Sequence, residues 1–286
     1  MQQISIQLSQ LAQNIVQSGY PTLKPSVWMP LLRPSLKNLR TAYRTDGIVS
    51  VDYTKKKTAQ AYLLAYAPYH IQQSLETLET LPSSVIKRLS KQSTIELVCV
   101  CGGPGPEVIA FQLWLKSHGI HPKKLKVHVY DKHAKGWNQF ANFKQGPQLK
   151  GTKIHWYYHS KDMRSLASFH AVGLEDNPLA TADVVMVQNC LNEIDVSSPN
   201  NTLLLKGMKS KATLVVSDLS RYSSNRRKMH SLRRRLSDSH VVGDISYVNF
   251  STFNYTTAIE RHLFSYESGT KPRRNLRTAT IYAIKR

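Results

Sequence analysis

The sequence has 286 residues, of which 41% are hydrophobic, enough for a folded core, and 39 Lys+Arg stand against 18 Asp+Glu for a formal net charge of +21 at pH 7. That composition excludes a disordered chain, and no run approaches the roughly 20 consecutive apolar residues that cross a bilayer. The first residues lack a basic stretch followed by an apolar run, and Cys99, Cys101 and Cys190 show no paired C-x-x-C spacing, so secretion, a disulfide framework and a zinc knuckle are disfavoured and a reducing, cytoplasmic location is expected.

In chain order, Pro21, Pro25, Pro30 and Pro34 separate a short first helix from a helical stretch over Lys56–Leu81 that is interrupted near Pro68. Residues 1–90 therefore read as a mainly helical N-terminal region. Within it Tyr62, Tyr66 and Tyr69 recur at helical spacing, which fits either a core-facing aromatic stripe or the lining of a cofactor or substrate mouth. From Thr94 the pattern becomes an alternation of short apolar runs and amphipathic segments, the signature of βαβ units and a mainly parallel sheet. Strands are predicted at Ile95–Cys101, Lys126–Tyr130, Lys153–Tyr158, Val184–Gln188, Ala212–Ser217, Ala258–Ser265 and Thr278–Ile284. Helices are predicted at Glu107–His118, Lys135–Asn142, Met163–Phe169, Pro199–Lys209 and Asn225–Ser237. The last two strands have only a loop around Gly269 between them, which suggests a hairpin with one strand antiparallel to the rest. Residues 91–286 would form this α/β domain.

The charge is unevenly distributed: +6 over Met1–Ser90, +3 over Lys91–Leu205 and +12 over Lys206–Arg286. Cationic flanks around a nearly balanced middle point to a polyanionic partner, with nucleic acid favoured over an acidic membrane surface or a merely solvated surface.

The chemistry concentrates where the first predicted strand runs into Gly102-Gly103-Pro104-Gly105 and a helix opens at about Pro106, with Glu107 in its first turn. Glycines there allow a sharp turn and close approach of a ligand to the main chain, while the exposed N–H groups of a helix start favour electronegative ligand atoms. A plain tight turn is the alternative. About thirty residues on, Lys126-Val-His-Val-Tyr-Asp131 is a second strand ending in a carboxylate. Asp131 stands where it can accept both hydroxyl protons of an adenosine ribose, or can cap the following helix. The pattern is neither G-x-G-x-x-G nor a P-loop, which argues against a dinucleotide cofactor and ATP hydrolysis.

Cys101-Gly-Gly-Pro-Gly-Pro-Glu resembles the first motif of class I S-adenosylmethionine-dependent methyltransferases, and Val129-Tyr-Asp131 resembles their second. Ser160-Lys-Asp162-Met163 resembles the acidic loop that holds the adenine amino group, and Ala182–Glu193 the fourth-strand motif facing the methionine end and the substrate. The resemblance covers roughly Lys91 to Arg286. It implies a Rossmann-like seven-stranded, mostly parallel sheet with an antiparallel last strand, and S-adenosylmethionine as cofactor. The implied cofactor contacts are Cys101, Gly102, Gly103, Pro104, Gly105, Asp131, Lys132, Asp162, Met163 and Asn189, with no metal. The sequence departs from the family where Cys101 replaces an acidic residue, and where Asn189-Cys-Leu-Asn replaces Asn-Pro-Pro-Tyr, which weakens a base-amino acceptor. A weaker likeness, carried by Ala61–Tyr69 and Leu191-Asn-Glu, is to methyltransferase-like proteins associated with the small ribosomal subunit.

Catalytic candidates are Asn189, Asn192 and Glu193, at or just past the end of the fourth strand; Glu193 could act as a general base or cap the next helix. Asp218 and Tyr222 occupy a second position on the same edge. Cys190 reads as a buried structural thiol. Arg226, Arg227, Lys228, Arg233, Arg234 and Arg235 share one predicted helix whose packing stripe is Met229, Leu232 and Leu236. With Lys271, Arg273, Arg274 and Arg277 they could form a phosphate-binding rim, or two unrelated solvated stretches. The expected activity is methyl transfer to RNA, with ribosomal RNA or a ribosomal subunit as partner. The alternatives are a non-catalytic RNA- or ribosome-binding protein of the same fold and a small-molecule methyltransferase.

Overall fold

The strand β1 (Thr94–Val100) carries apolar residues on both faces, Glu96 excepted, and is buried from Ile95 onward. Only a strand covered on both sides tolerates that, and β1 accordingly lies inside the sheet. In the computed structural model, which describes residues 2–43, 51–137, 149–161, 178–191, 207–250, 253–265 and 269–286, it is flanked by β2 (Lys124–Asp131) and β4 (Val184–Gln188). β3 (Lys153–Ser160) pairs beyond β2 and β5 (Thr213–Leu219) beyond β4, all parallel. The last strand, β8 (Leu276–Lys285), contains the predicted Thr278–Ile284 and runs antiparallel to β5, with Ser217 opposite Thr280.

One expectation fails. Ala258–Ser265 is not a strand: Ile259–Leu263 forms a π-helical turn in which the two apolar residues four apart are buried and those between face outward. Four-residue spacing of Ile259 and Leu263 serves a helical turn, whereas alternation would be needed for a strand. The other antiparallel partners of β8 are instead β6 (His240–Val242) and β7 (Ser246–Phe250), so the described sheet has eight strands rather than seven; around Gly269 the described residues show only an isolated antiparallel bridge between Ser265 and Thr270, not the expected hairpin of two strands.

Helices pack on both faces. Cys99 and its alternates Ile95 and Leu97 join α7 (Pro106–Ser117) and the N-terminal helices in one apolar cluster. Those helices are α1 (Gln2–Gln17), α2 (Pro25–Trp28), α3 (Arg33–Ala42), α4 (Lys56–Ala65), α5 (Ala67–Leu78) and α6 (Ser83–Leu89). Pro25, Pro34 and Pro68 sit in the first turn of their helices, where a missing N–H costs nothing. Pro68 separates α4 from α5 as expected. Val98 and Val100 point to the opposite face, where Met229, Leu232 and Leu236 of α10 (Ser223–Leu236) form the predicted packing stripe. Two short helices, α8 (Ala134–Trp137) and α9 (Pro178–Thr181), precede β3 and β4. The predicted helix Met163–Phe169 lies outside the described residues, as do most of Lys135–Asn142 and Pro199–Lys209; of the latter, the described residues 207–209 are not helical. Among the described residues no helix is long and apolar enough to cross a membrane.

A buried carboxylate fastens the start of β4. Asp183 accepts the Glu96 N–H at 2.8 Å and Gln92 Nε2 at 2.9 Å, and pairs with Lys209 Nζ at 2.6 Å and Arg88 at 3.7 Å. Both cations keep solvent contact, so the loss on removing the carboxylate is less than for a fully buried pair. Asp183→Ala is expected to lower stability by about 2–3 kcal/mol in urea unfolding, with an unchanged denaturant slope.

Candidate active site

The chain runs outward from β1 through β2 to β3 and then crosses over to β4 on the other side of β1, and a cleft opens at that reversal, at the carboxyl ends of the strands. Its floor is the turn after β1. Cys101, Gly103 and Gly105 adopt φ values of 56°, 50° and 88°, in the left-handed region. A Cβ on Gly102 would lie 2.9 Å from Val129 Cγ1 and 3.0 Å from Cys99 Cβ, and one on Gly105 would lie 3.1 Å from the Trp156 ring. Glycine is required here by the closeness of β2 and β3 as well as by the turn. Cys101 takes up the same conformation without being glycine, at a cost of order 1 kcal/mol. Gly105 then caps α7, with Pro106 at its first position.

Asp131 closes this turn from β2. One carboxylate oxygen accepts the Gly103 N–H at 3.0 Å and the other the His133 N–H at 2.7 Å. The residue thus organises both the glycine turn and the following one. Burial pushes its carboxyl up from the ordinary range, opposed by those two N–H donors. Glu107 is only 3% exposed, and burial, with Asp131 adding, pushes its carboxyl up to about 8. Its Oε2 has no hydrogen-bond partner. An acidic pair carrying an unpartnered buried oxygen suits a ligand that brings donors or positive charge.

The opposite wall comes from the N-terminal helices. Tyr43, Tyr53, Tyr62, Tyr66 and Tyr69 all line the cleft, with His133 and Trp137 from the segment after β2. Tyr62 stacks on Tyr66 at 5.6 Å between centroids, and Tyr53 lies 4.7 Å from Trp137. The Tyr62 hydroxyl bonds His70 Nδ1 at 2.9 Å, and burial drives His70 down to about 3, so its ring is neutral at physiological pH. The tyrosines at helical spacing are therefore buried and cleft-lining at once, because the helix face that meets the sheet edge also meets the cleft.

The exit of β4 is locked to α5. Asn189, with φ 55°, exchanges two amide bonds with Gln73, at 2.9 and 3.0 Å, while Gln188 bonds the His70 carbonyl at 3.0 Å and also meets Ser74. The Asn189 side chain is thus held by the N-terminal region at the cleft edge. Asp218, whose carboxyl burial pushes up to about 6, accepts the Leu191 N–H at 2.9 Å and Asn225 Nδ2 at 2.7 Å. It ties the β4 exit to the start of α10. Tyr222 donates to the Tyr43 carbonyl at 2.9 Å.

The structure brings Cys101, Gly103, Asp131, Lys132 and Asn189 to one cleft. Gly102 and Pro104 shape its turn, the Pro104 carbonyl accepting from Tyr158 at 3.2 Å. Asp162, Met163, Asn192 and Glu193 lie outside the described residues. Cys190 is buried, with its thiol on the Val100 carbonyl at 3.9 Å. Sequence reasoning passed over Gln73, Tyr43, Tyr53, His133 and Trp137, none of which belongs to a spacing pattern; Glu107 was signalled only by its place after the glycines. Among the described residues no group of three His, Cys, Asp or Glu is arranged to hold a metal ion.

The cationic residues divide. Arg226, Arg227 and Arg234 are exposed on α10, and Arg235 is half-buried. Lys228 Nζ donates to the Leu191 carbonyl at 2.9 Å, Arg233 pairs with Asp244 at 2.6 Å, and Arg274 pairs with Glu260 at 2.7 Å. Lys271 is exposed, whereas Arg273 turns into the cleft.

No protein-family model and no curated protein matches the sequence. Among solved structures, the chain is similar to an O-methyltransferase family protein from Burkholderia thailandensis, with 13% identity over 92% of this chain and 71% of that one and a TM-score of 0.46. It is similar also to the plantazolicin methyltransferase BpumL in complex with SAH (12% identity, 90% of this chain and 98% of that one, TM-score 0.44). A third is a 16S rRNA (adenine(1408)-N(1))-methyltransferase from Catenulisporales acidiphilia with cosubstrate SAM (15% identity, 72% and 92%, TM-score 0.43). The mostly parallel order β3-β2-β1-β4-β5-β8, with β8 reversed and helices on both faces, gives the chain the Rossmann-like α/β fold that the resemblance to the class I methyltransferases implies.

Proposed function

We propose that the protein binds S-adenosylmethionine in this cleft and transfers its methyl group to RNA, with structured RNA such as ribosomal RNA as the acceptor. The observation that carries the cofactor half is the Asp131–Gly103 contact: a carboxylate at the end of β2 fastened to the turn after β1, a turn too tight for side chains. The unpartnered Oε2 of Glu107 fits the same ligand, which brings hydroxyl donors and positive charge to an acidic wall. Bound there, S-adenosylmethionine supplies a methyl group activated by its sulfonium. The chain's own contribution is to hold the ribose at Asp131, to place the buried Glu107 carboxyl where it can give up its proton to meet a cationic group, and to keep water out with the tyrosine wall. The acceptor half is supported by charge: +21 overall, with Arg226, Arg227 and Arg234 exposed on α10, the helix that follows β5.

Tritium-labelled cofactor, offered in parallel to total RNA, protein and small metabolites, tests the assignment; label confined to protein or metabolites would overturn the RNA reading. Asp131→Ala is expected to weaken cofactor binding by about ten-fold or more in calorimetry, through removal of one charge-assisted anchor.

Glu107 also has a signature in stability. Its carboxyl binds a proton up to about pH 8 in the fold but only to 4.5 when unfolded, so the folded state holds the extra proton and loses stability as pH rises between those values. Glu107→Gln removes that loss: the variant should melt above the wild type at pH 8, with the gap closing toward pH 5, while cofactor affinity falls. Replacing Arg227 and Arg234 by Glu should lower RNA affinity and flatten its salt dependence by about one log-log slope unit for each phosphate that is no longer neutralised.

A further inference from the structure

Among the described cations of the C-terminal region, Arg273 stands apart. It lines the cleft, its guanidinium carbon stands 5.3 Å from the centroid of Tyr66, and it donates to the Tyr69 hydroxyl at 3.3 Å. Its neighbour Arg274 is paired with Glu260, but among the described residues no carboxylate pairs with Arg273. The surroundings add donors rather than acceptors. Tyr66 is 1% exposed and its hydroxyl has no hydrogen-bond partner. Arg40, 7% exposed, lies 5.2 Å from the same ring centroid; it gives one N–H to the Lys271 carbonyl at 3.0 Å, while its Nε is buried and unpartnered. Two guanidiniums around one tyrosine repel each other, and Arg273 lowers the Arg40 pKa in addition to the larger effect of burial.

This half of the cleft is therefore complementary in charge to the half that holds Asp131. A fork of guanidinium donors with an unpaired phenol beside it, and no counter-ion, matches an anionic oxygen group. The tyrosine rings around it match a flat heteroaromatic ring.

We infer that Arg273 and Tyr66 form a phosphate subsite in the acceptor half of the cleft, which takes the phosphate of a single nucleotide turned out of its strand, with its base against the tyrosine wall. The inference rests on the proposed RNA acceptor, and it narrows that reading: the rim cations would hold the RNA, whereas Arg273 selects the one nucleotide brought to the methyl group. The remaining source of an anion for this subsite is a small aromatic carboxylate, and the remaining claimant within the complex is the cofactor's own carboxylate.

The test is a calorimetric or fluorescence titration of the full chain, saturated with S-adenosylhomocysteine, against the four nucleoside 5′-monophosphates, the matching nucleosides, and benzoate. At least one nucleotide should bind about ten-fold tighter than its nucleoside and tighter than benzoate. Arg273→Met should erase that preference while S-adenosylmethionine affinity stays within about two-fold. Equal binding of nucleotide and nucleoside, or no nucleotide binding at about 10 mM, overturns the subsite and leaves RNA labelling unaffected, so its failure is distinct from failure of the RNA reading. Preference for benzoate overturns it in favour of a small carboxylate acceptor. A ten-fold loss of S-adenosylmethionine affinity in Arg273→Met overturns it in favour of the cofactor carboxylate. The nucleotide and nucleoside comparison needs no variant, so it decides the matter even where Arg273→Met fails to fold.

Discussion

The bridge from the Asp131 carboxylate to the Gly103 N–H is the contact around which the cleft is built. It joins the ends of β1 and β2 and holds the glycine turn in its left-handed geometry, with no room for side chains at Gly102 and Gly105. The second oxygen, on the His133 N–H, aligns the segment that carries Trp137. Burying a carboxylate is costly, and two backbone donors offset that cost. The same burial leaves Glu107 next to it with a raised proton affinity and an unpartnered oxygen.

A second consequence is that the N-terminal helices are not peripheral to the cleft. α5 reaches the β4 exit through Gln73 and Asn189, a reciprocal amide pair, and through Gln188 with the His70 carbonyl. The face of α4 and α5 that buries Leu63, Leu64 and Ile71 in the common core continues into Tyr62, Tyr66 and Tyr69 on the cleft wall. Packing and site formation use one amphipathic surface, so displacement of these helices would open the wall and release Asn189 together.

The cleft is electrostatically divided. Glu107 and Asp131 stand on the β1 and β2 side, while Arg273 and Arg40 gather around Tyr66 on the other. Neither group neutralises the other directly, and His70, buried and neutral, adds no charge. This separation places complementary ligands at opposite ends, and it matches the division of charge along the chain, nearly balanced over Lys91–Leu205 and strongly basic after it.

The parallel strands were legible from the sequence because burial on both faces demands apolar runs such as Leu97–Val100, and the glycine turn and Asp131 were legible because close backbone approach and a strand-end carboxylate leave local marks. The strand predicted at Ala258–Ser265 was not, since a short apolar segment has no local means of choosing between periods of two and four. Tertiary packing chose: Ile259 and Leu263 insert into the N-terminal core, and β7 takes the place beside β8. In the same way Arg226, Arg233, Arg273 and Arg274 are alike as sequence. What separates them is the company each finds, a carbonyl at Ser220, Asp244, the rings of Tyr66 and Tyr69, or Glu260. Periodicity and turn chemistry are properties of neighbours along the chain and so are written in it. The pairing of Gln73 with Asn189 and the gathering of Arg40 and Tyr66 with Arg273 join residues more than a hundred positions apart, and only the folded arrangement brings them together.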